Sequence, residues 1–385
     1  MIPTLQLKSN IKARVLQGHP WVFAAEVQNL LPETFKGEGV ALRDAKGRFL
    51  GMGIYNQDSQ IIWRRFSYDQ VDLDEDFLAH ALKQSIDRRG CISVGRLVWS
   101  EVDYLPGLIV DRFQHILVLQ AQTDAMDKRV DELACTLKRL LPDIEDVVIR
   151  NDAPSRLHEG LPLVSRTLSG QTVAPQWYTI DGIDYFLDLE KGQKTGFYLD
   201  QRQEHQRIAQ WCAGKTVLDG FCNQGAFGLQ AAQHGAKKVL SIDSSATCIE
   251  MVKKNAQKNQ YLAIQAQVDN MFDYLSGEHD TAFDVIVLDP PSFARNKQAL
   301  SGALRGYKEL NLRAIKRLKP GGILATYVCS HAISLSMLQE VVAQAAADNR
   351  ACLRLLASTG QPLDHPVLIT FPESAYLKGL VLQKY

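Results

Sequence analysis

Seven cysteines are scattered over the 385 residues. None stands in a CxxC pair or in the Cys/His spacing that holds structural zinc, so no metal site is expected. A disulfide framework is not expected at this length either, and the cysteine usage predicts a reducing, cytoplasmic home. An excess of charge of one sign is also missing: Lys+Arg and Asp+Glu both count 43. That argues against a chain held to nucleic acid mainly by bulk phosphate attraction, though it leaves room for local basic patches. No apolar run approaches the roughly 18–20 residues that span a membrane, and the first residues do not read as a basic-then-apolar signal, so no membrane partner is expected. Internal repeats and low-complexity tracts are absent. So is a G-x-G-x-x-G after a strand.

What is present falls into three stretches. Residues 1–72 alternate apolar and polar side chains between Gly and Asn-Gln-Asp turns, the texture of a small β-barrel. Residues 73–175 mix helical spacing (DEDFLAHALKQSIDRR, DKRVDELACTLKRLL) with a hairpin-like pair, LPGLIVDRF and HILVLQAQ, and predict a small α+β domain that ends in the polar linker LSGQTVAPQ. Residues 176–385 alternate strands (216–221, 239–243, 284–288, 322–329) with helices such as SATCIEMVKKNAQKN and YKELNLRAIKRLK. That rhythm predicts an α/β, Rossmann-like doubly wound parallel sheet.

In such a sheet ligands sit at the carboxyl ends of the strands. The loop Asp219–Gly228 follows the first strand, and Gly220 and Gly225 let backbone approach a ligand. Asp243 ends the second strand, where a carboxylate can accept both hydroxyls of a ribose. A nicotinamide enzyme shows the same spacing, but without G-x-G-x-x-G a pyrophosphate has no cradle. S-adenosylmethionine carries no phosphate and needs none. Asp269, after the third strand, either accepts from an adenine amino group or caps a helix.

FDVIVLDPPSFAR is the most specific short motif. A buried strand delivers Asp289 to the sheet edge, and Pro290 and Pro291 fix a rigid turn that leads to Phe293. Such a turn is either a plain strand terminator or a grip on the amino edge of a planar base. Cys329 ends another apolar strand, ATYVCSH. A lone cysteine often serves as a small hydrophobe, but a strand end at this edge points at the ligand crevice. Carbon 5 of a pyrimidine is a poor nucleophile until a thiolate adds at carbon 6. A thiolate needs a lowered pKa, and His331, two residues on, would share the face of Cys329 if the strand continued. The other six cysteines read as packing or surface residues, with Cys222 in the cofactor loop.

With these residues in hand, the chain resembles the bacterial ribosomal RNA large subunit methyltransferase I family. The likeness runs nearly end to end: HPWVF and the GE…G…GIYN…SQI run, LPGLIVDRF, KTGFYLDQR (Lys194–Arg202), LRGYKELN (Arg305–Asn311), DHPV (Asp364–Val367) and YLKG (Tyr376–Gly379). The resemblance implies an N-terminal PUA-like RNA-binding barrel, a middle α+β domain and a methyltransferase domain that uses S-adenosylmethionine to form 5-methylcytosine in 23S rRNA. It further implies that Asp200, Gln201 and Arg202 line the cofactor pocket from a hairpin before the sheet. The loop from Asp219 through Phe221 and Gly225 to Phe227 would be the first cofactor motif. Asp243 would hold ribose and Asp269 adenine. Asp289 would face both the cofactor and the target base, with Pro290, Pro291 and Phe293 beside the base, and Cys329 would be the nucleophile. The chain departs from the family where Ala226 replaces a second adjacent glycine. Asp stands at 219, where the family also shows Asn. Ser292 follows Pro-Pro where some 5-methylcytosine enzymes carry a second cysteine, so one cysteine must serve for both addition and release.

Two other readings stay open: methylation of an exocyclic nitrogen such as guanine N2, and a non-catalytic RNA-binding assembly factor with a relict pocket. The expected partners are 23S rRNA or a large-subunit precursor and a second copy of the chain. Arg64, Arg65 and Arg295 are candidate RNA contacts.

Overall fold

A computed structural model describes residues 2–192, 194–277, 282–293 and 299–385. The chain forms two compact units. The first comprises Met1–Gln176, Leu187–Leu199 and Leu363–Ser374, and the second comprises Trp177–Phe186, Asp200–Pro362 and Ala375–Tyr385.

The first unit holds two five-stranded sheets. One orders Thr4–Gln6, Gly39–Arg43, Phe49–Tyr55, Ile61–Ser67 and Trp21–Phe23. Its core is Leu5, Val22, Val40, Leu42, Tyr55, Ile62 and Trp63. A single 3-10 turn, Arg14–Gln17, precedes the Trp21 strand, and Gly18 ends it in the left-handed region at φ 89°. The other sheet orders Val164–Thr167, Asp146–Asn151, Ile116–Ala121, Leu108–Phe113 and Val94–Trp99. The expected hairpin is there, and Gln114 takes φ 54° in its tight turn.

Two later segments of the first unit are fastened by charge. Arg96 meets Asp111 through Nε and Nη2, both at 2.8 Å, and Asp111 is fully buried. The Thr195 hydroxyl donates to the same carboxylate at 2.6 Å. Asp364 accepts from the Arg96 peptide N–H at 2.9 Å. Arg150 donates to the carbonyls of Leu189 and Gly192. Buried charge is costly unless paired and hydrogen-bonded, and here each buried ion has its partner. The KTG and DHPV motifs therefore have a structural use of their own.

The second unit is built on a seven-stranded sheet: β1 (Thr216–Gly220), β2 (Lys238–Asp243), β3 (Ile264–Val268), β4 (Phe283–Leu288), β5 (Leu318–Cys329), β6 (Leu353–Thr359) and β7 (Leu377–Lys384), in the order β3-β2-β1-β4-β5-β7-β6. The first five pair in parallel, and β7 runs antiparallel to both β5 and β6. The sheet is thus mixed rather than wholly parallel, because β7 is inserted between β5 and β6. Helices cover both faces. Leu218, Ile242, Ile286, Leu288, Leu324 and Val328 pack against α4 (Met271–Ser276), α5 (Leu300–Arg317) and α6 (Leu335–Asp348). Val217, Val239, Val285, Val287, Ala325 and Tyr327 pack with α1 (Arg202–Ala209) and α2 (Ala226–Gln233). The near-continuous apolar runs of β4 and β5 follow from burial on both faces.

In α5 the buried residues Tyr307, Leu310, Asn311, Ala314 and Ile315 recur at the 3.6-residue period of one helix face. Ser245 caps α3 (Ala246–Lys258) and Ser334 caps α6, each accepting a peptide N–H. A hairpin, Gln176–Ile180 with Ile183–Leu187, precedes the sheet in sequence. Among the described residues no helix is long and apolar enough to cross a membrane.

Candidate active site

The switch in strand order lies between β1 and β4, where a doubly wound sheet binds its ligand. The loop after β1 is strained to fit. Phe221, Asn223 and Gly225 take φ of 62°, 49° and 83°. Such non-glycine conformations cost of order 1–3 kcal/mol each and gather at functional sites. Gly225 starts α2 in the left-handed region, and a Cβ there would stand 3.1 Å from Val252. Two contacts hold the strain: the Cys222 N–H donates to the Ile242 carbonyl, and the Asn223 N–H to Asp243 Oδ2, both at 3.0 Å. The Cys222 thiol is pushed well up by burial, so it stays protonated and packs with Ile249 and Val252.

Asp243 ends β2. It accepts from Asn223 N–H on one oxygen and from Ser245 N–H on the other, at 3.0 and 2.9 Å. A carboxylate offers about four acceptor positions, so the two N–H groups leave capacity for two further donors. Asp269 follows β3 and is half-buried. It accepts from the Asn270 N–H and the Gln267 amide, while Asn270 caps α4 by accepting from Phe272 N–H. The helix-cap alternative for Asp269 therefore falls to its neighbour.

Asp219 and Phe227 sit deeper than ligand contacts do. Asp219 is 1% exposed, and its Oδ2 accepts from Gly228 N–H at 3.0 Å and the Ser241 hydroxyl at 3.4 Å. Burial pushes its carboxyl up to about 7 against those two donors. Its place is to fix the first turn of α2 to β1. Phe227 is buried, stacked on Tyr327 and edge-on to His205. Burial drives the His205 pKa down to about 3, so this histidine is neutral.

Asp200, Gln201 and Arg202 lie on the 3-10 turn Leu199–Gln201 and the first position of α1, not on a hairpin. Asp200 is 4% exposed and accepts from the Tyr376 hydroxyl at 2.8 Å. Gln201 is buried, and its Oε1 meets no hydrogen-bond donor among the described residues. That is an orphaned acceptor of the kind a bound ligand satisfies. Arg202 differs from expectation: its guanidinium grips Asp181 at 3.0 and 2.5 Å, which ties α1 to the preceding hairpin turn.

Asp289 leaves β4, and its N–H points at the Gly220 carbonyl, 3.5 Å away. Pro290 is buried and Pro291 exposed. The Phe293 ring lies 4.6 Å from that of Tyr307 and 6.0 Å from that of Phe272. Tyr307 is fully buried, and burial raises its pKa, so it remains a neutral phenol. Its hydroxyl makes no hydrogen bond of normal geometry among the described residues, though it faces the Phe293 N–H. Cys329 is the last residue of β5 and half-buried. Leu288, the last residue of β4, pairs in parallel with Thr326, three residues before Cys329, so Asp289 and Cys329 both emerge at the carboxyl edge of the sheet. His331 lies beyond the strand, so alternation does not place it on the face of Cys329. Its ring centre is 6.0 Å from that of Tyr376.

Two of the expected RNA contacts are committed elsewhere. Arg64 bridges Glu101 and Glu159 at 3.0 and 2.9 Å. Arg65 is 3% exposed and donates to the Gly18 carbonyl and the Tyr68 hydroxyl. Arg295 lies outside the described residues. Sequence reasoning quoted the motifs holding Tyr307, Tyr376 and Lys378 without giving these residues a role. The sole signal was their presence in those motifs.

Comparison with known proteins agrees with this geometry. A family model described as a PUA-like domain matches residues 5–68, and one described as an S-adenosylmethionine-dependent methyltransferase matches residues 104–370. Three similar proteins named Ribosomal RNA large subunit methyltransferase I come from Shewanella amazonensis, Serratia proteamaculans and Yersinia pseudotuberculosis. They are 37%, 34% and 33% identical over 390, 394 and 392 residues, each covering 98% of both chains. In fold, the chain is similar to a protein from Streptococcus mutans described as a SAM-dependent methyltransferase, with TM-score 0.83, 22% identity and full coverage of both chains. A methyltransferase solved as a complex with SAH gives TM-score 0.85 at 23% identity, again over all of both chains.

Proposed function

The chain belongs to the ribosomal RNA large subunit methyltransferase I family of S-adenosylmethionine-dependent enzymes, and on that premise we propose that it methylates carbon 5 of a cytosine in large-subunit (23S) rRNA, with Cys329 as covalent nucleophile. The observation that carries this reading is the pair Asp289 and Cys329 at the ends of adjacent strands β4 and β5.

When bound, S-adenosylmethionine supplies an electrophilic methyl group. Asp243 accepts the ribose hydroxyls and Asp269 the adenine amino group. Gln201 Oε1 and the backbone around Gly225 complete the cradle, while Asp219, Arg202 and Phe227 support it from behind. Asp289 accepts from the exocyclic amine of the target base and holds the ring in plane, with Pro290, Pro291 and Phe293 forming the wall beside it. Cys329 sulfur forms a bond to carbon 6, and the carbon 5–carbon 6 electron pair becomes the nucleophile at carbon 5. After methylation, the carbon-5 proton passes to water and the sulfur–carbon bond breaks with its electrons returning to sulfur. The base must leave its stack to reach the cysteine, so it is flipped out or already single-stranded. The barrel at residues 5–68 reads RNA shape around it. On this reading the enzyme works in the cytoplasm as a homodimer.

The test is methyl transfer to undermodified large-subunit rRNA, followed by digestion to nucleosides. Label in 5-methylcytidine is the expected result. Label in N2-methylguanosine would replace this reading with exocyclic-nitrogen chemistry.

A further inference from the structure

We propose that Lys378 is the cation that holds the Cys329 sulfur as a thiolate, an inference that rests on Cys329 being the nucleophile. Lys378 lies on β7, the antiparallel neighbour of β5, where the register sets Lys378 opposite Val328 and Leu377 opposite Cys329. Directly opposed residues of an antiparallel pair share a face, so Lys378 leaves β7 on the face of Val328, one register position from Cys329, and its long side chain turns along the strand end rather than across to Cys329. The Lys378 stem turns toward the end of β5. Its Nζ donates to the Ser330 carbonyl at 2.8 Å and to the Tyr376 carbonyl at 3.4 Å. The ammonium is thus fixed at the carbonyl of Ser330, the residue that follows Cys329.

What this lysine lacks is a counter-charge. It is half-buried, and among the described residues no carboxylate pairs with it. Two carbonyls engage two of its three N–H groups. A partly buried ammonium without an anion is costly, and an anionic sulfur at Cys329 removes that cost. Burial lowers the Lys378 pKa, and the neighbouring charge of Cys329 works the other way.

Among the described residues, the other titratable groups around this corner do not supply a fixed positive charge. Tyr307, from α5, interacts with both Asp289 and Cys329 and stays neutral. Asp289, at the end of β4, is an acid and disfavours a thiolate. His331 lies beside Tyr376, whose hydroxyl is given to Asp200. Among the described residues of this set, Lys378 carries the positive charge.

The chemistry balances simply. The thiol proton leaves to solvent and the thiolate stays beside the ammonium. On addition the sulfur electron pair forms the bond to carbon 6, and on release the same pair returns to sulfur. Lys378 keeps its three protons throughout, so it acts as an electrostatic positioning residue and not as an acid or base.

The test is the pH dependence of Cys329 alkylation by iodoacetamide in the full chain, read by mass spectrometry of the Cys329 peptide. The wild type is expected to inflect below the ordinary thiol value of about 8.5. Lys378→Gln keeps a donor for the carbonyls and removes the charge, and should move the inflection up by about one pH unit or more. Lys378→Arg should restore it. In methyl transfer, Lys378→Gln should lower kcat at neutral pH, recover as pH rises and leave the KM for S-adenosylmethionine unchanged. If Lys378→Gln does not fold, the Lys378→Arg profile decides, since it must keep the low inflection. An inflection at the ordinary thiol value in the wild type, or one unmoved in Lys378→Gln, overturns the pairing even if 5-methylcytidine forms. A shift that follows Lys378 while label appears in a purine supports the pairing and removes the nucleophile reading instead.

Discussion

The Tyr376 hydroxyl donates to Asp200 Oδ2 at 2.8 Å, and the Tyr376 carbonyl accepts the Ser330 N–H at 3.1 Å. One residue therefore joins the turn that carries Asp200 and Gln201 to the strand end that carries Cys329. Both contacts meet in a single residue, whose own N–H donates to the Gln361 side-chain oxygen at 3.0 Å.

Tyr376→Phe removes the hydroxyl and nothing else. A hydrogen bond to a charged group contributes about 1.5–3 kcal/mol, so S-adenosylmethionine affinity by calorimetry should fall about tenfold or more while the protein still folds. Unchanged affinity would separate Asp200 from the cofactor.

Asp243→Ala should weaken S-adenosylmethionine binding further than Tyr376→Phe. It removes the proposed ribose acceptor and also the acceptor for the Asn223 and Ser245 N–H groups that hold the strained loop. Calorimetry with S-adenosylhomocysteine checks this without any turnover. Equal affinity in the two variants would contradict it.

The sequence makes some of this visible and hides the rest, for identifiable reasons. The places of Asp243, Asp289 and Cys329 at or just past strand ends were legible because each ends an apolar run, and in a doubly wound sheet such ends share an edge. Gly225 was legible because a loop between strand and helix needs a left-handed residue. Arg64 and Arg65 were misread because charge alone does not reveal a partner, and the pairing of Arg202 with Asp181, 21 positions away, carries no local signal. Lys378 and Tyr376 carry no local signal, since their places come from the antiparallel pairing of β7 with β5. That long-range pairing also made the sheet mixed where alternation predicted a parallel one.

Asp219→Asn should change how stability depends on pH. Burial raises the folded pKa of Asp219 to about 7 from an ordinary 3.8. Between those values the folded chain holds a proton that the unfolded chain has released. Stability therefore falls as pH rises across that window and levels off above it. Asparagine keeps an acceptor for Gly228 N–H without this titration. The Tm of Asp219→Asn should gain on the wild type from about pH 4 to about pH 7 and hold a constant lead above. A gap that does not vary with pH would contradict the assignment.

Tyr307→Phe should not destabilise the protein. A buried hydroxyl without a hydrogen bond costs about 1–3 kcal/mol, so its removal should leave Tm unchanged or raise it, as measured by thermal melts. A fall of several degrees would mean that the hydroxyl is satisfied in solution.

The measurement that tests the account most directly is covalent trapping on large-subunit rRNA containing 5-fluorocytidine. Fluorine replaces the carbon-5 proton whose loss permits release, so the enzyme should stop at the stage where sulfur is bonded to carbon 6. With S-adenosylmethionine present, mass spectrometry should find the RNA attached to the Cys329 peptide, and Cys329→Ala should give none. Full methylation of ordinary rRNA with no adduct on the fluorinated substrate, or an undiminished rate in Cys329→Ala, would contradict the account.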